Sequence, residues 1–249
     1  MKSLQEYINE SESKTDLSTN KVQPKTKDEL KEIIKDTFEH KQYDLNFINT
    51  SEITDMSKLF MNCKYDFDIS DWDVSNVTDM NHMFYDCDNF NCDLSKWNVS
   101  KVVNMFSTFS SCKKFKGKGL ENWDVSAVID MHYMFYECEN LNCDLSDWDV
   151  LNVTNMWHLF DGCKKLDCDL SDWKVYKVTD MSYMFNNCEQ FNCDLSRWDV
   201  SNVINMRDMF DECERLECDL SRWNTSKVKD MTCMFTHCNR LKIPDWYKK

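Results

Sequence analysis

Apolar residues in this chain follow two alternating rhythms, repeated about eight times. Met80, Met83, Phe84 and Cys87 fall at i, i+3, i+4 and i+7, and Met131, Met134, Phe135, Cys138 and Met181, Met184, Phe185, Cys188 repeat the set. That spacing predicts two turns of an amphipathic helix. Phe90, Cys92 and Leu94 then alternate with polar residues, as do Leu141, Cys143, Leu145 and Phe191, Cys193, Leu195. A period of two predicts a short half-buried strand. Trp97, Val99 and Val102 lead back to the next helix.

The repeat length is set by tryptophan. Trp72, Trp97, Trp123, Trp148, Trp173, Trp198 and Trp223 are separated by 25, 26, 25, 25, 25 and 25 residues. A degenerate first copy places Ile48 at the Trp position and continues through Ile53, Met56, Phe60 and Cys63. One such unit cannot bury its apolar side alone, whereas units stacked in register form a continuous core. The expected fold class is therefore an α/β repeat solenoid, a leucine-rich-repeat-like stack of about eight coils of ~25 residues, each a strand plus a short helix. At strand spacing, ~4.8 Å per coil, the core is roughly 40 Å long.

Both ends depart from the repeat. Residues 1–22 are polar and read as a disordered tail. Residues 23–45 read as an N-terminal capping helix: Thr26-Lys27-Asp28-Glu29 is a capping box ahead of Leu30, Ile33, Ile34 and Phe38, with the helix ending near His40. Residues 46–249 form the solenoid, closed by Leu241, Ile243, Pro244 and Trp246, where proline withholds a backbone donor.

Polar positions repeat as strictly as apolar ones. Asp55, Asp79, Asn104, Asp130, Asn155, Asp180, Asn205 and Asp230 each precede the first Met of a unit. They are expected to cap the helices, or to satisfy backbone groups of a neighbouring coil. Asp68, Asp93, Asp144, Asp169, Asp194 and Asp219 lie between inward strand positions and are expected to face out. Stacking brings these like charges to ~5 Å, which costs about 0.9 kcal/mol per pair in water. The stripe reads as a solvated ladder relieved by Lys96, Arg197 and Arg222, or as a contact line for a basic partner or divalent cations. Gly119 takes the stripe position in the unit lengthened by Lys116-Gly117-Lys118-Gly119, the expected bulge.

The 14 cysteines suggest disulfides or zinc, but their spacing does not. Eight follow the helix, five lie in strands, Cys233 stands apart, and no C-x-x-C pair occurs. Reduced, buried thiols are expected, with no metal or cofactor, and they favour a reducing compartment. No secretory leader and no apolar run of 18 residues are visible, so no membrane insertion is expected. A formal charge of −14 disfavours nucleic acid and favours a protein partner with a basic surface. His40, His82, His132, His158 and His237 share no nucleophile at a fixed offset and read as surface helix residues, so no catalytic residues and no enzyme are expected.

Trp72 to Met80 (Trp-Asp-Val-Ser-Asn-Val-Thr-Asp-Met), Met83 to Cys87 and Asp93 to Trp97 resemble the BspA-like leucine-rich repeat family, also known as the DUF285 repeat. The resemblance covers about residues 24–249, including Pro24 to Leu30 and the Ile-Pro-Asp-Trp-Tyr ending. It implies a leucine-rich repeat solenoid without catalytic residues, found at bacterial surfaces, in protists and in large DNA viruses, and used where known in adhesion or protein binding. The chain departs from surface members in showing no export signal. The functional expectation is a non-catalytic, adhesion-type binding scaffold presenting an acidic face. The alternative is a structural component of a virion, wall or surface layer that assembles laterally without a dedicated ligand.

Overall fold

In a computed structural model, which describes residues 21–248, the repeats wind into one solenoid of eight coils. The coils are numbered here by the Asp or Asn preceding the first Met. Parallel bridges run Asp55–Asp79–Asn104–Asp130–Asn155–Asp180–Asn205–Asp230 and fix the register from coil 1 to coil 8.

Equivalent side chains form buried files. Phe60, Phe84, Phe109, Phe135, Phe160, Phe185, Phe210 and Phe235 stack with centroids 5.2–5.9 Å apart and planes within 15°. Trp97–Trp123 and Trp148–Trp173 stack at 6.2 and 6.4 Å. Each indole N–H also donates one coil back, as from Trp173 Nε1 to the Leu145 carbonyl at 2.9 Å. The file therefore buries its one polar atom without leaving it unpaired. Trp246 continues this file past coil 8, stacking on Trp223 at 6.4 Å and donating to Leu220 O at 2.8 Å.

The inward faces match the sequence pattern, but the elements that carry them differ. No helix forms at Met80–Cys87 or its equivalents; each is a pair of tandem β-turns. In coil 5, Leu159 N–H closes a turn on Met156 O and Cys163 N–H closes the next on Phe160 O. The intervening groups reach coil 6: Met156 N–H to Asp180 O, His158 to Ser182 O, Phe160 to Met184 O and Gly162 to Asn186 O, at 2.8–3.1 Å. Two linked turns return residues i, i+3, i+4 and i+7 to the same side, so they share the spacing of a helix face. An isolated eight-residue helix leaves four N–H groups unpaired and carries an unrecovered nucleation cost. Stacked turns satisfy those groups through the next coil. The geometry requires left-handed residues at the second and sixth positions after the first Met, and both are left-handed in all eight coils, as at His82 (φ 53) and Asp86 (φ 57).

The expected strands at Phe90–Leu94 and its equivalents form no regular ladder. Their backbone groups are met partly by side chains: Lys116 N–H donates to Asn91 Oδ1, Asp167 N–H to Asn142 Oδ1, and Leu170 N–H to Cys193 Sγ. Strand-like pairing runs instead down the Asp/Asn bridge column, with two further parallel bridges near the cap, Val22–Ile48 and Asp44–Asp68.

The N-terminal cover is helix α1, Lys27–Glu39. Thr26 Oγ1 accepts from Glu29 N–H, and Glu29 Oε2 accepts from Lys25 N–H, so the capping box forms with its return arm one residue early. Leu30, Ile33 and Ile34 are buried, and Phe38 packs on Phe60 and Phe67 of the first coil. The tail expected over residues 1–22 lies almost wholly outside the described residues.

Candidate functional site

Three columns of Asp and Asn mark the outer surface, and one local device builds each of them. In all eight bridge residues the side-chain oxygen accepts the N–H two residues on, from Ser57 N–H on Asp55 to Thr232 N–H on Asp230, at 2.7–3.2 Å. These residues are therefore Asx turns, not the helix caps expected, because no helix follows them. Cross-coil side-chain bonding between them occurs where Asn205 Nδ2 donates to Asp180 Oδ2.

The acidic stripe uses the same turn. Asp68, Asp93, Asp144, Asp169, Asp194 and Asp219 accept from Ser70, Ser95, Ser146, Ser171, Ser196 and Ser221 at 2.9–3.0 Å. Bonds to the ionised form hold all six carboxyls below their usual range, Asp93 at about 2 with Lys118 as the leading cause. The stripe is thus charged and rigidly placed. Its relief differs in part from expectation: Lys118 pairs with Asp93 at 2.7 Å, whereas Lys96 pairs with Asp71 and Arg197 lies 3.9 Å from Asp172. Arg197 and Arg222 still favour the ionised forms of Asp194 and Asp219. The bulge is a 3-10 turn, Leu120–Asn122, entered through Gly119 at φ 97. A Cβ on Gly119 lies 2.2 Å from Ser95 N, so the coils close only with glycine there.

A third column was not singled out from the sequence. Asn49, Asp73, Asn98, Asp124, Asp149, Asp199 and Asn224 form equivalent turns two positions ahead of Ser or Leu. Lys174 interrupts it.

All 14 cysteines are free. The file Cys87, Cys112, Cys138, Cys163, Cys188, Cys213 and Cys238 points each thiol at the Phe carbonyl of the preceding coil, at 2.9–3.1 Å. Burial pushes these thiols up, Cys238 to about 12. A raised thiol is a poor nucleophile and metal ligand. Asp211, Glu212 and His237 bring three ligand-type atoms within 4.8 Å of one another. His237 Nδ1 lies 2.9 Å from Glu212 and 3.2 Å from Asp211, a His–carboxylate pairing that sequence reading did not find.

Lys113, Lys114 and Lys116 form a basic island in this acidic protein; no described carboxylate lies within 4.0 Å of any of them. Lys114 and Lys116 line a shallow groove of about 610 Å³ with Tyr43, Tyr65 and Asn89.

His40 is an exposed residue capping the C-terminus of α1, as expected, whereas His82, His132 and His158 sit in turns and join a cluster of rings. On the turn face, just after the bridge column, rings pack from coil to coil. Phe106 and His132 stack at 4.0 Å, and His132 and Trp157 at 6.3 Å. Beside them Tyr133, His158 and Tyr183 stack at 4.6 and 4.4 Å, and Tyr133 meets Trp157 edge-on at 5.0 Å. His82 joins through Phe106 at 4.5 Å, and burial holds its imidazole below the usual value. His132 pairs with Asp130, and His158 Nδ1 lies 2.5 Å from Asp161. Burial raises the Asp161 carboxyl, against the lowering contact with His158.

No curated protein matches the chain. The crystal structure of a TLR13–ssRNA13 complex is similar over 87% of this chain and 40% of that one, at 11% identity and a TM-score of 0.30; the chain thus spans less than half of that structure's length. The model of the family described as "Mycoplasma protein of unknown function, DUF285" matches residues 28–145, 106–198 and 169–247. Three overlapping matches that run from the cap helix to the last coil place this chain in the DUF285 family.

Proposed function

We propose that the protein is a non-catalytic scaffold of leucine-rich-repeat type, used for protein binding in the manner of an adhesin, and that its acidic outer face receives a basic partner. The observation that carries this reading is the stripe Asp68 to Asp219. Its carboxylates are fixed by Asx turns and held ionised, so little freedom is lost on pairing with cations. A line of such charges steers a basic surface toward it and fixes its register. Pull-down from the native host with wild type and with Asp144→Asn/Asp169→Asn/Asp194→Asn tests the reading. Asparagine keeps the turns and removes the charge. A partner retained by the wild type and lost by the variant supports the proposal; equal recovery refutes it.

A further inference from the structure

The ring cluster on the turn face is not required by the repeat. At the first position after Met, coils 1, 2, 6 and 8 carry Ser57, Asn81, Ser182 and Thr232 and coil 7 carries Arg207, held by Tyr183 and Asp208, whereas coils 3 to 5 carry Phe106, His132 and Trp157. At the second, Tyr133 and Tyr183 adopt φ 58, a left-handed conformation that asparagine or glycine takes at lower cost. The sixth position meets the same backbone demand with Asn62, Asp86, Gly162 and Asn187 in several coils. Rings thus gather in coils 3 to 5 at partly exposed sites that non-aromatic residues fill in several other coils, and Tyr133, His158 and Tyr183 beside the Trp157 row hold the left-handed conformation. Strain retained at a surface is a pointer to function.

The surroundings define the chemistry. Trp157 is 37% exposed, and its ring partners, His132, Tyr133 and His158, lie in coils 4 and 5. Towards coil 6 the next residue in its row is Ser182, which supplies no ring. The residues just before the bridge column add exposed apolar surface at Val103, Ile129 and Ile204. Between the two runs the bridge column carries the carboxylates of Asp130 and Asp180. The face therefore combines an indole lacking a ring partner on one side, flanking apolar side chains and regularly spaced negative charge. A planar cation on an extended chain meets all three demands.

We propose that this face, centred on Trp157, docks an arginine-bearing extended segment of a partner protein, with a guanidinium stacked on the indole and paired with the neighbouring carboxylates. Arginine satisfies both contacts at once, because its flat guanidinium stacks on rings and forms forked bonds to carboxylates. The inference rests on the basic-partner reading above but places the contact on the turn face, away from the Asp68–Asp219 stripe.

The test uses the full chain and fluorescently labelled 13-residue peptides with arginine at alternate positions in a serine/threonine background. Matched peptides carry lysine or citrulline instead, and anisotropy reports binding. The expected order is arginine, then lysine, then citrulline, with citrulline at background. Trp157→Ala weakens the arginine peptide about tenfold, Trp157→Phe restores most of the loss, and the triple stripe variant changes affinity less than twofold. Trp157 is on the surface, so unchanged thermal melting separates lost contact from lost fold. Wild-type affinity in Trp157→Ala, or equal binding of lysine and arginine peptides, overturns the proposal. Binding lost only in the stripe variant also overturns it and leaves the function proposed above standing. No binding by any cationic peptide removes both.

Discussion

The gap at Lys174 provides a test in which the protein should become more stable. In the other coils an Asp or Asn at this place accepts the N–H two residues on, at 2.9–3.2 Å. In coil 6 the corresponding N–H belongs to Tyr176, which is exposed. Lys174→Asn supplies the missing acceptor in a frame whose backbone already turns the right way. A net intramolecular hydrogen bond contributes about 0.5–1.5 kcal/mol. In a chain of this size ~1 kcal/mol raises Tm by about 2–4 °C. Asparagine is preferred to aspartate because the net charge is already −14. Lys174→Ala controls for loss of the lysine, and Asp149→Ala in coil 5 should cost a similar amount. Repeat arrays need not melt in one step, so hydrogen exchange at the Tyr176 amide is read alongside Tm. If Lys174→Asn is no more stable than Lys174→Ala and the Tyr176 amide exchanges equally fast in both, the Asx columns do not stabilise the coils as argued.

Phe160→Ala removes one ring from the middle of the phenylalanine file and should cost about 3–5 kcal/mol, measured by denaturant unfolding. Gly119→Ala should destabilise by more than ~1 kcal/mol, because its Cβ meets the Ser95 backbone at 2.2 Å. A thiol reagent applied to the native protein should label Cys233, the exposed cysteine, in a fast phase and the buried file only on unfolding. The depressed stripe carboxyls contribute stability that is present above the unfolded aspartate value and lost as pH falls through the folded values, Asp93 last at about 2. Melting temperature should therefore fall below about pH 4, and less steeply in the Asp144→Asn/Asp169→Asn/Asp194→Asn variant.

The 25-residue period made the solenoid and its buried files legible, because stacking identical apolar positions is how such units bury them, and the capping box at Thr26–Glu29 did the same for the helix ahead of them. The elements inside the coil were not legible. Met80, Met83, Phe84 and Cys87 carry the spacing of a helix, and a pair of tandem turns produces the same one. The choice between them depends on where the intervening N–H groups find partners, which is a property of the neighbouring coil. The Asp and Asn columns were visible as columns, but their role as Asx turns follows from the missing helix. The ring cluster was hidden for the opposite reason. It lies where the repeat varies, and only reading down the positions after each Met gathers Phe106, His132 and Trp157 into one row. The basic island at Lys113–Lys116 was likewise masked by a net charge that averages over the whole chain.

In coils 1 to 7, alternate amides of each segment with helical spacing bond to the next coil while those between them close turns within their own. Through-hydrogen-bond NMR couplings measure this directly. Couplings are expected from the Phe160 amide to the Met184 carbonyl and from His158 to Ser182, across 2.9 and 3.1 Å. A coupling from Phe160 to the Met156 carbonyl, the signature of an α-helical turn, with none to coil 6, contradicts it.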